Sequence, residues 1–181
     1  MHFDRKRLSN PPSRMTESEF VEAFGGIYEH SPWVARGTWQ RGVTPEHDTV
    51  EALAAALAAT VDGSDREARL ALIRAHPDLA GRAAMRGELG AESTREQAGA
   101  GIDRCSPEEY RRFQSLNDAY KRKFGFPFVM AVKGSDRHAI LSAFAARIGN
   151  DAETELGNAI AEIHRIARLR LADLAETTRR G

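Results

Sequence analysis

Cysteine is almost absent from this chain: its 181 residues include one, Cys105. A single cysteine cannot form a disulfide within the chain, so nothing marks an oxidising compartment and a reducing cytoplasm is the simplest setting. A charge excess is also lacking, because 26 Lys and Arg residues balance 26 Asp and Glu residues. Without a basic excess, the chain lacks the attraction that supplies most of the affinity for nucleic acid. The composition therefore argues against nucleic acid as a partner.

Long apolar runs are lacking as well. The longest, at 52–61 and 124–132, fall well short of the roughly 20 residues that span a bilayer, which predicts a protein without a membrane segment. The N-terminal residues carry early charge but no apolar stretch behind it, unlike a secretory signal. Their polar, proline-containing composition predicts a flexible arm over 1–15, ahead of a single domain over 16–178.

Helix signals dominate the rest of the chain. Thr16 and Glu19 have the spacing of a capping box. Ser106-Pro107-Glu108-Glu109 places serine, proline and glutamate where the start of a helix can use them. Apolar residues at spacings of three and four predict further helices over 46–61, 64–76, 137–147 and 152–175. Ser64 is predicted to cap the helix over 64–76.

Several segments are predicted to lie outside helices. Pro32 and the stretch 37–45 are expected to interrupt the first helix, and the glycine-rich stretch 81–105 is predicted to be loop with one short helix. Aromatic residues alternating with Gly and Pro at 124–128 predict an extended segment. No βαβ series or hairpin is evident. The pattern predicts an all-α fold, one compact domain of about seven or more helices with an extended Phe-Gly-Phe-Pro-Phe segment.

The last predicted helix allows a test of which side chains face inward. At about 100° per residue, an apolar stripe forms on one face of this helix, and its members are Leu156, Ile160, Ile163, Ala167, Leu171 and Leu174. Arg165 and Arg168 fall on the opposite side, whereas Arg170 falls inside the apolar arc. An inward arginine snorkels, pairs with a carboxylate or binds a ligand, since an unpaired buried charge is costly. Periodicity does not choose among these.

Two other places combine polar groups suited to chemistry. His76 precedes Pro77 at a helix-to-loop junction, and imidazole suits acid-base work near neutral pH, although a lone histidine is more often structural. Ser93 and Glu96 have the spacing of another capping box, which alone explains both. The functional alternative is that Ser93, Glu96 and Gln97 face a pocket together.

Familiar metal and nucleotide motifs are missing. The sequence has no H-E-x-x-H, no paired cysteines, no P-loop and no G-x-S-x-G elbow. Gly99-Ala100-Gly101 lacks the remaining glycine spacing of a dinucleotide site and follows no predicted strand. His76 with Glu96 would supply two metal ligands, which is too few. No metal site is predicted.

Three motifs taken together carry a resemblance to a known family. They are His76-Pro77-Asp78-Leu79-Ala80-Gly81, Ser93-Thr94-Arg95-Glu96-Gln97 and Lys123-Phe124-Gly125-Phe126-Pro127-Phe128. In this order and spacing the chain resembles the OHCU decarboxylase family from about Phe20 to Leu174. These enzymes decarboxylate 2-oxo-4-hydroxy-4-carboxy-5-ureidoimidazoline (OHCU) to (S)-allantoin in urate degradation.

The resemblance implies roles for particular residues. His76 looks like the catalytic histidine of the family, and Glu96 like its partner carboxylate. Arg170 matches a substrate-binding arginine, in agreement with its inward position on the helix. The implied substrate contacts are Pro77, Ser93, Gln97, Arg170 and main-chain groups in the segment that includes Phe128, Val129, Met130, Ala131 and Val132.

The resemblance also implies an all-helical, cofactor-free lyase that is commonly a homodimer. Its substrate would come from urate oxidase and 5-hydroxyisourate hydrolase, so functional coupling to those enzymes is implied. Two alternatives stay open. One is a helical protein-interaction module whose inward polar residues satisfy one another, and the other is a lyase that acts on a related ureide.

Overall fold

Regular structure in residues 6–81 and 91–177, which this computed structural model describes, is helical except for one isolated antiparallel bridge between Arg7 and Thr49. The all-α prediction is confirmed. Short 3-10 helices lie at Pro12–Arg14, Pro45–Asp48 and Ile102–Arg104. The α-helices of these residues are α1 (Glu17–Phe24), α2 (Trp33–Gln40), α3 (Val50–Asp62), α4 (Arg66–Arg74), α5 (Ala91–Gly99), α6 (Pro107–Phe124), α7 (Arg137–Arg147) and α8 (Ala152–Thr177).

Capping side chains explain where several helices begin. The Thr16 hydroxyl accepts from the Glu19 N–H while the Glu19 carboxylate accepts from the Thr16 N–H at 2.7 Å, which confirms the predicted capping box of α1. The box at Ser106 is also present at the start of α6. For α4 the predicted cap is wrong by one residue. Asp65 accepts from the Ala68 N–H at 2.8 Å, whereas the Ser64 hydroxyl donates to the Val61 carbonyl.

Helix α2 occupies part of the stretch that was predicted to interrupt the first helix. Pro32 stands at its N-cap, where a missing N–H costs little. Gly37 lies inside α2 and allows α3 to approach closely, since a Cβ at this position would lie 2.9 Å from Thr60 Cγ2 on α3. The prediction that Gly37 begins a break in the helical structure is therefore wrong, because this glycine marks a contact between two helices. The following stretch does leave the helical path, with Gly42 at φ +102°.

The chain divides into two compact units, whose described residues are 6–75 with 164–177 and 76–81 with 91–163. In the first unit α1 packs on α2 and α2 on α3, around side chains that are fully buried, namely Phe20, Leu53, Leu57, Val61 and Leu72. Helix α8 contributes residues to both units. The single-domain boundary over 16–178 stays a prediction.

The N-terminal residues from Lys6 onward are anchored to the first unit. The Lys6 ammonium donates to the Ala172 carbonyl at 2.9 Å and pairs with Glu176 at 2.5 Å. Leu8 is buried, and its N–H donates to the Asp48 carbonyl at 2.9 Å. The Ser13 hydroxyl donates to the Asp48 carboxylate at 3.0 Å. The predicted flexible arm therefore does not include this stretch, and residues 1–5 lie outside the described part of the chain.

The second unit has an aromatic core. Tyr120 on α6 makes edge contacts with Phe128 and Phe144, and these two rings stack with centroids 3.9 Å apart and planes 9° apart. Pro127 to Val132 adopt neither helix nor strand. Phe126 and Phe128 are both buried, which favours a core role for their rings. No helix within 6–81 and 91–177 is long and apolar enough to cross a membrane.

The burial of α8 follows the predicted stripe with one correction. Leu156, Ile163 and Leu171 are buried, Arg165 and Arg168 are exposed, and Arg170 is only 6% exposed. Leu174, predicted to be buried, is 42% exposed. In the last turn the buried position belongs to Ala175, four residues after Leu171, so the inward face rotates by one residue near the helix end.

Candidate active site

His76 stands where α4 gives way to a tight loop. The helix ends at Arg74, and His76 is 8% exposed. The loop then turns back on itself, because the Gly81 N–H donates to the Asp78 carbonyl at 3.3 Å. A Cβ at Gly81 would lie 2.7 Å from Asp78 Cβ, so glycine is required there. Ala80 has a left-handed φ of +50°, an uncommon conformation for a residue with a side chain.

Three side-chain amides hold the main chain of this loop. Gln97 of α5 accepts from the Ala80 N–H at 3.1 Å and donates to the Asp78 carbonyl at 3.3 Å. From α6, Gln114 donates to the Ala80 carbonyl at 2.6 Å, and Asn117 donates to the Leu79 carbonyl at 2.9 Å. The hydrogen-bonding needs of a buried irregular loop are thus met by amides that cannot titrate. The main chain that follows His76 is fixed by its neighbours.

Helix α5 presents two of the predicted polar residues inward. Ser93 and Gln97, one turn apart, are 4% and 5% exposed, and Glu96 is partly exposed. The predicted capping box at Ser93 is wrong, because α5 begins at Ala91 and Ser93 lies inside the helix. The structure therefore brings Gln97 against the loop after His76. The substrate contact predicted for Gln97 stays a prediction, beside the structural bonds that it makes.

Arg170 belongs to the first unit, and its main described partner is a buried carboxylate. Its Nη1 donates to Glu29 Oε2 at 3.0 Å and to the Ile27 carbonyl at 3.3 Å. Glu29 is 7% exposed. The pair supports the salt-bridge alternative for an inward arginine, and it fixes where the guanidinium lies. A guanidinium carries five N–H donors, so this pairing leaves donors for a ligand, and the substrate-binding role of Arg170 stays a prediction.

A chain of polar side chains supports the segment that carries Glu29. The Tyr28 hydroxyl lies 2.8 Å from His164 Nδ1, and His164 Nε2 lies 3.0 Å from the Asp62 carboxylate. The Ser31 hydroxyl donates to the Glu29 carbonyl at 2.8 Å. Burial, with the nearby Asp62 charge, raises the pKa of Tyr28 well above its usual range. Tyr28 therefore stays neutral and acts as a fixed hydrogen-bonding group.

The segment implied to contact substrate through its main chain is held at several points. The Val129 carbonyl accepts from Arg147 Nη1 at 2.7 Å, and the Ala131 N–H donates to Glu162 Oε2 at 2.6 Å. The Val132 carbonyl accepts from the Ser135 N–H at 2.9 Å. Met130 is the partly exposed residue between buried neighbours. These bonds occupy three of the groups that were predicted to face a ligand.

A buried carboxylate lies behind that segment. Glu155 has no exposed surface, and it accepts from Tyr120 Oη, from Arg147 Nη2 at 2.9 Å, and from Asn150 and Asn158, each at 2.9 Å. Burial raises the pKa of Glu155, but the hydrogen bonds from Arg147 and the other donors outweigh it, so the pKa lies below its usual value. Glu155 is therefore charged at neutral pH.

Sequence reasoning missed the residues that support the predicted site residues within each unit. Glu29, Gln114, Asn117, Arg147 and Glu155 were not singled out, although two of them interrupt an apolar stripe. Asn117 lies between Phe113 and Tyr120 on α6. Glu155 lies one turn before the buried Ala159. A polar residue at an inward position is the signal that would have found both.

Within residues 6–81 and 91–177, no group of three or more His, Cys, Asp or Glu side chains is placed to hold a metal ion. The second unit holds an imidazole, carboxylates, amides and main-chain groups, and the first unit holds the guanidinium of Arg170 with its carboxylate partner. Such a set can orient an anionic or carbonyl-bearing small molecule and move a proton.

Comparisons with known proteins agree on one family. A family model described as OHCU decarboxylase matches residues 13–172. A 2-oxo-4-hydroxy-4-carboxy-5-ureidoimidazoline decarboxylase of Haloferax volcanii is 44% identical over 161 residues, which cover 89% of this chain and 92% of that protein. A uric acid degradation bifunctional protein of Bacillus subtilis is 36% identical over 162 residues, 90% of this chain and 31% of that protein.

A solved structure agrees with the sequence comparisons. The crystal structure of an (S)-allantoin synthase superposes with a TM-score of 0.71 at 32% identity, covering 90% of this chain and 52% of that chain. The family model spans the loop after His76, the inward face of α5 and Arg170. The chain therefore belongs to the OHCU decarboxylase family.

Proposed function

We propose that this protein is a carboxy-lyase that decarboxylates OHCU to (S)-allantoin. The observation that carries the proposal is the family match over residues 13–172, which includes all three motifs of the resemblance. A relative named for this reaction covers most of the chain at 44% identity. The buried imidazole at the end of α4 supplies the chemistry that the reaction needs.

The reaction breaks the bond between the ring carbon and its carboxylate. Carbon dioxide leaves, and the electron pair of the broken bond is delocalised over the neighbouring ureido-bearing ring carbon and its ring nitrogen. The hydroxyl on the first carbon loses its proton to become a carbonyl, and a proton is added to one face of the ureido-bearing carbon. The substrate thus contains its own electron sink. An enzyme accelerates such a step by holding the carboxylate out of the plane of the ring system, stabilising the anion and delivering the proton.

In the proposal, His76 assists the loss of CO2 and controls the proton, with Glu96 as its partner carboxylate. Arg170, Ser93 and Gln97 bind the ring and the ureido group, and Pro77 contacts the substrate beside the imidazole. Main-chain groups of the segment 128–132 complete the contacts. Two structural features support these roles: His76 is only 8% exposed, and the loop after it is fixed by amides of α5 and α6.

The setting proposed for this activity is the cytoplasm, without a cofactor and as a homodimer. The lone cysteine supports a reducing, cytoplasmic location. A bifunctional uric acid degradation protein among the relatives supports functional coupling to the enzymes that produce OHCU, urate oxidase and 5-hydroxyisourate hydrolase. Sedimentation analysis of the purified chain tests the dimer.

The decisive experiment follows circular dichroism of OHCU freshly generated from urate by urate oxidase and 5-hydroxyisourate hydrolase. OHCU also decays spontaneously, so reactions with this protein are compared with reactions without it and with His76→Asn. His138→Asn is the matched control, because His138 is exposed on α7. We expect a rapid (S)-allantoin signal from the wild type and from His138→Asn, and its loss in His76→Asn.

The outcomes separate the alternatives. Decay no faster than the spontaneous rate, from a folded wild-type protein, overturns the decarboxylase proposal in favour of an interaction module or of a lyase for a related ureide. A folded His76→Asn variant with undiminished turnover overturns the role of His76 and keeps the reaction.

A further inference from the structure

Arg147 joins two parts of the second unit that have different roles. On one side, its Nε and Nη2 donate to the buried Glu155 carboxylate at 3.2 and 2.9 Å. On the other side, its Nη1 donates to the Val129 carbonyl at 2.7 Å. Its guanidinium also lies over the Phe128 ring, 4.4 Å from the centroid. One side chain therefore links a charged anchor to the main chain of a segment that has no secondary structure of its own.

The anchor itself is rigid. Glu155 receives hydrogen bonds from Tyr120, Asn150 and Asn158 besides Arg147. Such a carboxylate holds its guanidinium partner in one orientation, because every bond to it is directional and water does not reach it. Arg147 is consequently fixed in angle as well as position.

The segment is also held just beyond this point. Val129 is fixed through its carbonyl by Arg147, and Ala131 is fixed through its N–H by Glu162 at 2.6 Å. Met130, between them, is partly exposed, whereas its neighbours are buried. Anchors on both sides leave the Met130 peptide groups little freedom to reorient. The arrangement suits a main chain that must present hydrogen-bonding groups in a set direction.

We propose that Arg147 and Glu155 are positioning residues that hold the Val129–Ala131 main chain ready for substrate. The inference rests on the proposed function for the identity of the substrate, since the resemblance implies that this main chain contacts OHCU. Neither residue touches the substrate in this proposal. Arg147 acts through Val129, and Glu155 acts through Arg147.

Lysine at position 147 provides the sharpest test. Arg147→Lys keeps the charge but cannot donate to Glu155 and to Val129 with a fixed planar fork. Arg137→Lys is the matched control in the same unit, because Arg137 pairs with Glu109 at 2.7 Å through its Nε. Glu155→Gln is the second variant, which removes the charge of the anchor and leaves the shape of its side chain.

Two readouts are measured on the full-length chain. The first is the KM and kcat for freshly generated OHCU, and the second is amide hydrogen exchange at Met130 and Ala131 by NMR. For Arg147→Lys and Glu155→Gln we expect KM to rise about tenfold with kcat within about threefold of wild type, since ground-state and transition-state contacts weaken alike. Exchange at Ala131 should accelerate about tenfold. Arg137→Lys should change neither readout.

Each outcome decides the inference. If Arg147→Lys has wild-type KM and wild-type exchange, whatever its melting temperature, Arg147 is structural only and the proposal is overturned. A fall in kcat at constant KM overturns it as well. If the wild type does not turn over OHCU, the proposed function fails on its own. Exchange at Ala131 then still decides whether Arg147 and Glu155 hold this main chain.

Discussion

Arg170 and Glu29 form a buried ion pair, with 3.0 Å between Nη1 and Oε2 and less than a tenth of either residue exposed. Either charge alone would be costly to bury, so each residue depends on the other. The pair holds the guanidinium in place before any ligand arrives. An arginine that is already oriented loses less conformational entropy when it binds a substrate group.

Removing the charge of Glu29 should therefore destabilise the protein strongly. Glu29→Gln removes the negative charge from a buried ion pair, and we expect the free energy of unfolding to fall by about 3 kcal/mol. Urea denaturation measures this loss. Glu51→Gln is the matched control, because Glu51 on α3 pairs at 3.5 Å with Arg168, which lies on α8 like Arg170, and both of these side chains are exposed. This control should cost less than about 1 kcal/mol of unfolding free energy. Equal losses would contradict a special role for the buried pair.

The amide of Gln97 should prove irreplaceable by an acid of the same shape. In Gln97→Glu the new carboxylate can still accept from the Ala80 N–H, but it cannot donate to the Asp78 carbonyl and it faces that oxygen at close range. We expect a loss of about 1 to 3 kcal/mol in unfolding free energy and a fall in kcat/KM of about tenfold or more as the loop after His76 loosens.

Kinetics of OHCU decay and urea denaturation check the prediction for Gln97. Gln40→Glu, at an exposed helix end, is the control for adding one negative charge. It should leave kcat/KM unchanged and cost no more than about 1 kcal/mol. Wild-type kinetics in Gln97→Glu would show that the loop does not need this amide.

The stability of the second unit should fall in acid through Glu155. Its folded pKa lies below the ordinary value of 4.5, because hydrogen bonds from Arg147 and other donors outweigh burial. A lowered folded pKa means that the unfolded state binds the proton more readily. The contribution is therefore fully present above pH 4.5 and is lost as the pH falls through the folded pKa.

Comparison of Glu155→Gln with the wild type isolates this contribution from that of other carboxylates. We expect the variant to be less stable by about 3 kcal/mol near pH 7, and the difference to shrink as the pH is lowered below 4.5. Urea denaturation at a series of pH values measures both curves. A difference that stays constant into acid would mean that the carboxylate charge does not stabilise the fold.

Local sequence signals were sufficient for much of this fold. The capping boxes at Thr16 and Ser106 and the bounds of α7 follow from residues that act within one turn of the chain. The inward position of Arg170 followed from periodicity alone. These features depend on neighbours three or four residues away, which a single sequence displays directly.

The remainder depends on partners distant in the sequence. Gly37 was interpreted as a break, because its contact with Thr60 becomes visible only when α2 and α3 pack. Glu29 could not be matched to Arg170 across 141 positions. The hydrogen bond from Gln114 to the loop after His76 was likewise not predictable from the sequence. A side-chain amide can donate to any main-chain carbonyl, so the sequence separation of the two residues does not indicate the contact.

The end of α8 offers a prediction that separates helical periodicity from actual packing. Leu171 and Leu174 both lie on the stripe predicted from the sequence, yet Leu171 is fully buried and Leu174 is 42% exposed. Leu171→Ala should lower the free energy of unfolding by about 2 to 5 kcal/mol, since it leaves a cavity in the core of the first unit. Leu174→Ala removes the same atoms from a site open to water and should cost less than about 1 kcal/mol. Urea denaturation of the two variants compares them directly, and a loss at Leu174 as large as that at Leu171 would show that the stripe continues to the end of the helix.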